Sequence, residues 1–389
     1  MLNLDDLFVI GVLMFFLIYS AKDGIGYFFI STLVLTINFV GNLMLEENLI
    51  VPTNINFALF FLIHIIFFRL FSKYRFVNQK FQPQRFLYFR GKKILWIYFI
   101  IALLGGIFFF YQVGLLVFMD NLLEARERLR YGNGIFSRII LHGLPIIAGI
   151  FICHYCFQKK IIYLIAPILA IVFILLTGYR GFIIWTLLYF LMVFNNFKKI
   201  KIYNWKIWSG SIAIFFFSIF LTQQYYSNLS LQSAMIRFLE RIFINNVFGY
   251  NILINKYLPL HDISLSEIDN LPSTLFAWNF GGSGKLVQMG AELTVTLPGM
   301  SYVLGGYAMT LIFGALIGSI SGSLVRLNRL SIDPSHTAIR TFLLFSFVTL
   351  INRGYIMNFI SIAIVSTVIM YLMFFLPSKK VIRTEYSRG

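Results

Sequence analysis

The chain has 389 residues, of which 59% are apolar and only 12% charged. Soluble domains lie nearer 45–50% apolar and about 25% charged, so a soluble enzyme is excluded. A net charge of +17 would suggest nucleic acid in a soluble protein; in a chain this apolar it points to basic loops gathered at one membrane face, and no nucleic-acid partner is expected.

Apolar runs separated by polar punctuation predict an all-α polytopic integral membrane protein. The expectation is about 11 transmembrane helices within one transmembrane domain, 1–389. The first run, 5–20, carries Asp5 and Asp6 where a cleaved signal would carry lysine or arginine, and it reads as a retained span. Runs at 25–45, 50–71, 94–118, 139–157, 161–178, 182–197, 207–223, 301–324, 337–352 and 355–376 follow. With the N-terminus outside and the C-terminus cytoplasmic, the inner segments hold 22 lysines and arginines and 3 acids, against 10 and 12 outside. The inner segment SKYRFVNQKFQPQRFLYFRGKK has seven basic residues and no acid. Such asymmetry fixes an orientation.

Two outer segments are large enough to carry function. The first, 119–138, contains EARERLRYGNG with Arg126 and Arg130 beside Glu124 and Glu127. The second spans 223–300. Near its start Leu231, Met235, Phe238, Leu239, Ile242 and Phe243 recur at helical spacing, with Arg237 and Arg241 one turn apart. That pattern predicts an amphipathic helix lying in the membrane interface.

Two Arg-Gly steps interrupt apolar runs at the outer face: TGYRG at 177–181 and INRGY at 351–355. The runs beside them are about 16 residues long, short of the roughly 20 that span a bilayer, which sets Arg180 and Arg353 at the membrane boundary. Arginine there is costly and marks substrate paths; its bidentate fork suits phosphate. Arg126, Arg130, Arg237 and Arg241 fit the same anion-binding role, against the plainer reading of solvated ion pairs. Proton acceptors at this face are Glu292, in the GAELTVTLPGM return to the membrane, and His261, with Asp262, Glu267, Asp269 and His142 behind them.

Cys153 and Cys156 fall with His154 in an apolar run and read as inert buried thiols, and His64 reads as a core histidine. No phosphate-binding glycine loop, HExxH or cysteine–histidine cluster occurs, so no metal site and no cofactor are expected.

These features together resemble the Wzy-type O-antigen polymerases, which join oligosaccharide repeat units of bacterial surface glycans. The likeness rests on span number, the EARERLRYGNG loop, the LLTGYRG turn, a large outer loop in the second half, and the return AELTVTLPGMSYVLGGYAMTLIFGALIGSI. It implies a metal-independent membrane glycosyltransferase of the bacterial inner membrane, active on its periplasmic face in lipopolysaccharide or other polysaccharide biosynthesis. The substrates it implies are oligosaccharides linked to undecaprenyl diphosphate, met among membrane lipids, with a chain-length regulator protein as a further partner of the class. The six arginines named above would hold the diphosphates, and Glu292 or His261 would accept the proton. A ligase using the same carrier, and a lipid-linked oligosaccharide flippase or transporter, are the competing readings. One spacing, Arg138 to Gly149, matches an arginine–glycine pattern of some such polymerases but is expected about once by chance and carries no weight.

Overall fold

The computed structural model describes residues 4–22, 25–44, 51–73, 86–90, 92–115, 134–177, 180–197, 296–330, 333–354 and 378–382, with isolated stretches between 209 and 239 and between 359 and 369. Its helices are α1 (Leu4–Ala21), α2 (Tyr27–Met44), α3 (Val51–Lys73), α4 (Lys92–Val113), α5 (Gly134–Arg138), α6 (Leu144–Gln158), α7 (Ile165–Leu176), α8 (Arg180–Phe197), α9 (Leu297–Leu330) and α10 (Pro334–Arg353). A π-helical turn, Ile139–Gly143, joins α5 to α6, and one 3₁₀ turn, Ile161–Leu164, leads into α7. Four stretches among the described residues are long and apolar enough to cross a membrane, and shorter apolar helices accompany them. The chain is a multi-pass membrane protein. Every expected run except 207–223 coincides with a described helix, the last of them through the helical residues of 359–369. The run 207–223 lies outside the described residues apart from Ser209 and Phe216.

Ring contacts fix the helix directions. Phe16 meets Phe61 at 5.6 Å, and Arg69 lies over both Tyr19 at 4.7 Å and Phe28 at 4.2 Å, so α1 and α3 run parallel. Tyr27, first in α2, lies 5.5 Å from Phe68 near the end of α3, so α2 runs the other way. Trp96 against Phe151 at 4.5 Å and Phe108 against Phe136 at 5.2 Å set α4 antiparallel to the α5–α6 unit. At the end of α6 Lys159 takes a left-handed conformation, φ 55°, and its N–H closes on the Tyr155 carbonyl at 2.9 Å, which ends the helix in one residue. The reversal is short, so α7 returns at once and α8 then lies parallel to α6: His142 meets Phe182 at 6.0 Å, Tyr155 meets Phe194 at 6.3 Å and Phe157 meets Phe197 at 5.1 Å.

The tightest pairing is between α3 and α9. Gly314, Gly318 and Gly322 recur every four residues, one stripe of a helix, and a Cβ added at Gly318 would stand 2.5 Å from the His64 carbonyl oxygen. At Gly322 it would stand 2.6 Å from that of Phe68. Glycine alone lets the backbones come this close, which is how helices gain contact in lipid where apolar burial between them offers little. Residues 56, 60, 64 and 68 of α3 face 310, 314, 318 and 322 of α9, so the two helices run parallel and in register.

Asp333 starts α10: its Oδ1 accepts the Ser335 N–H at 2.9 Å and Pro334 occupies the first turn, where its missing N–H is not needed. Beyond the helices, the structure adds an element the sequence does not suggest. β1 (Phe86–Arg90) and β2 (Ser378–Ile382) form an antiparallel pair with Phe86 opposite Ile382 and Arg90 opposite Ser378. The partners lie far apart in sequence, so no local turn signal announces the pairing.

Directions and ends together sort the charges. Lys22, Lys73, Lys93, Lys159, Lys160, Arg326, Arg329 and Arg340 all fall at one end of the bundle, where α1, α3, α6 and α9 finish and α2, α4, α7 and α10 start. β1 leads into α4 at this same end.

Candidate functional site

The opposite end carries Arg138, Arg180 and Arg353. Trp185 packs on Phe345 at 5.6 Å and Tyr189 on Phe342 at 4.9 Å, so α8 and α10 are antiparallel, and the first residue of one lies at the same end as the last residue of the other. Those residues are Arg180 and Arg353. The helices differ in length from the sequence expectation: α8 has 18 residues and α10 has 20. Both arginines are helical residues, and α10 alone is about 30 Å long, a bilayer's thickness.

Their local electrostatics differ in sign. Arg353 ends α10, and Gly354 at φ 70° donates its N–H to the Leu350 carbonyl at 2.8 Å, so a cation here sits at the negative end of the helix dipole and is stabilising by itself. Arg180 opens α8, at the positive end, where a cation is disfavoured by roughly 0.3–1 kcal/mol. An anion placed against the N–H groups of that first turn and the guanidinium would turn this penalty into a binding site. Of the two arginines, Arg180 therefore has the stronger functional claim.

The π turn bears on the same end. The Leu144 N–H reaches the Ile139 carbonyl, widening the helix by one residue per turn, and His142 is directed between Phe182 of α8 and Phe342 of α10 at 6.0 and 6.4 Å. His142 is 4% exposed, so its imidazole is enclosed by rings rather than presented to a substrate. Ser137, Thr177 and Asn352 are also buried at this end. Thr177 closes α7, donating through Oγ1 to the Ile174 carbonyl at 2.6 Å, just before the chain turns into α8.

The remaining site residues expected from the sequence, Arg126, Arg130, Arg237, Arg241, His261 and Glu292, lie outside the described residues. Parts of the expected interfacial helix are described: residues 231–233, 235, 236 and 239 are helical, Ser230 Oγ accepts the Ser233 N–H at 3.1 Å, and Leu231, Met235 and Leu239 are exposed. Cys153, Cys156, His64 and His154 are buried within the bundle, and both cysteines are free thiols. Gly149, the far member of the arginine–glycine spacing, faces the Tyr189 hydroxyl and has a packing role.

Comparison of the chain with protein-family models, with curated proteins and with solved structures finds no match.

Proposed function

We propose that this protein is a Wzy-type polymerase of the bacterial inner membrane, with its lysine-rich face in the cytoplasm and its arginine-bearing face in the periplasm. Helix ends rich in lysine and arginine stay on the cytoplasmic side during insertion, which gives the orientation. In the reaction, the bond between the anomeric carbon of the growing glycan and the undecaprenyl diphosphate oxygen breaks. The acceptor hydroxyl of a second lipid-linked repeat unit forms the new glycosidic bond, its proton passes to Glu292 or His261, and undecaprenyl diphosphate leaves. Arg180, with Arg353, Arg126, Arg130, Arg237 and Arg241, neutralises the two diphosphates and the charge that develops on the leaving group. A chain-length regulator is the protein partner that would set how often the cycle repeats.

The observation that carries this reading is Arg180 as the first residue of α8, beside the end of α10, on the face away from the lysine-rich loops. A transport role finds its support elsewhere: α9 is interrupted at Gly305–Gly306, and discontinuous helices are common in transporters. The surface glycan of cells lacking this gene separates the two. A polymerase predicts a ladder reduced to one repeat unit on its lipid acceptor; a flippase or ligase predicts no repeat unit there at all.

A further inference from the structure

The interruption in α9 is bridged by a side chain from another helix. At Gly306 the backbone has φ 63° and ψ −149°, a conformation open to glycine and disfavoured for any residue with a Cβ. It divides α9 into a first piece, 297–304, and a long second piece running on to Leu330. A break within a membrane helix frees backbone carbonyls that lipid cannot satisfy, so protein groups must do so. At this break the Thr310 hydroxyl reaches the Gly306 carbonyl, and Asn56, in the first part of α3, bonds to the pieces on both sides. Its Nδ2 donates to the Pro298 carbonyl at 2.7 Å in the first piece, and its Oδ1 accepts from the Thr310 hydroxyl in the second. The Ser301 hydroxyl lies 2.9 Å from the same Pro298 carbonyl and 3.3 Å from Thr310 Oγ1, while Thr310 Oγ1 is also 3.2 Å from the Gly306 carbonyl. Asn56, Ser301 and Thr310 are all buried.

The two pieces are anchored very differently. The second piece is fixed to α3 over three turns by the glycine seam at 314, 318 and 322. The first piece, with Leu297 and Met300 buried, is joined to α3 by the Asn56 to Pro298 hydrogen bond. We propose that Gly305–Gly306 is a hinge and that Asn56 is the clasp that keeps residues 297–304 closed against α3, so that releasing the clasp moves this first piece at the arginine-bearing face. The proposal does not depend on which reaction is carried out there.

Hydrogen exchange measured by mass spectrometry on the full chain in lipid nanodiscs tests it. Asn56→Asp keeps the acceptor for Thr310 but loses the donor to Pro298. It should speed exchange across 297–304 roughly tenfold while 314–322 stays as in the parent. Asn56→Ala should do the same. Thr310→Val leaves the Asn56 donor in place and should leave 297–304 slow. Unchanged exchange at 297–304 in both Asn56 variants overturns the clasp. An equal rise at 297–304 and 314–322 overturns the hinge, because the network would then be a staple of the whole helix pair. Acceleration by Thr310→Val as large as by Asn56→Asp would also overturn it, since the network would act as one block.

Discussion

Tyr189 ties three helices together through a single phenol. Its hydroxyl donates to the Ala338 carbonyl at 3.1 Å, its ring meets Phe342 edge-on, and its tip fills the space over Gly149 that any larger residue would need. Tyr189→Phe should lower stability by about 1 kcal/mol, the net worth of one buried hydrogen bond. Gly149→Ala should cost about 1–3 kcal/mol through overpacking. In the Tyr189→Phe background Gly149→Ala should cost less but not nothing, because the Tyr189 Cζ would still stand 2.7 Å from the new Cβ. Thermal unfolding of the four proteins in one detergent measures the coupling. Arg180 belongs to the same scale. Arg180→Ala should reduce glycan polymerisation roughly 100-fold if it stabilises the leaving diphosphate. Arg180→Lys should restore little, because an ammonium cannot bind bidentately; normal ladders from either variant, at parent protein levels, would remove Arg180 from the site. Arg180 was legible in the sequence as a candidate, because an arginine breaking an apolar run is visible in the residue pattern alone. What the sequence hid was the sign of its electrostatics, which depends on α8 starting at Arg180 and not two residues later. The π turn that encloses His142 was equally hidden, since no local residue preference separates it from ordinary helix.

At the scale of elements, the α3–α9 seam shows how far periodicity carries and where it stops. The apolar runs that the structure describes were readable as helices, but which helices touch was not, and the three glycines of α9 gain meaning only opposite the backbone of α3. Gly318→Leu should separate the pair and destabilise the protein by about 1–3 kcal/mol or more, because the side chain meets the fixed His64 carbonyl. Gly105→Ala is the matched control: its nearest neighbour would be a Phe136 ring carbon at 3.5 Å, an ordinary contact, so its unfolding temperature should stay at the parent value. Helix boundaries were legible where capping chemistry was present. The Asp333-Pro334-Ser335 step starts α10 three residues before the apolar run itself, and only a reading by hydropathy placed it later. The β1–β2 pair had no such marker, because it depends on the approach of the loop after α3 to the chain after 377.

Across the whole molecule, helix direction and charge give a topology that can be tested without any assay of function. Phe197 ends α8 at the lysine-rich face, whereas Pro298 lies at the far face, bonded to the first part of α3. This arrangement predicts an odd number of crossings between them. One crossing by the apolar run 207–223, the span expected there from the sequence, would satisfy this. Single cysteines in a Cys153→Ser, Cys156→Ser background test both orientation and parity, using a membrane-impermeant maleimide on intact cells with a permeable outer membrane. Leu115→Cys, at the end of α4 on the arginine-bearing face, should label from outside, and Lys160→Cys, in the turn between α6 and α7, should label only after the inner membrane is opened. The reverse result would put Arg180 on the cytoplasmic side, where a polymerase of exported repeat units could not use it. Ser283→Cys should label with Leu115→Cys, because 283 follows the required crossing and precedes α9. Labelling of Ser283→Cys on the Lys160 side would place the crossing between 283 and α9 instead, and would move the loop bearing His261 away from Arg180.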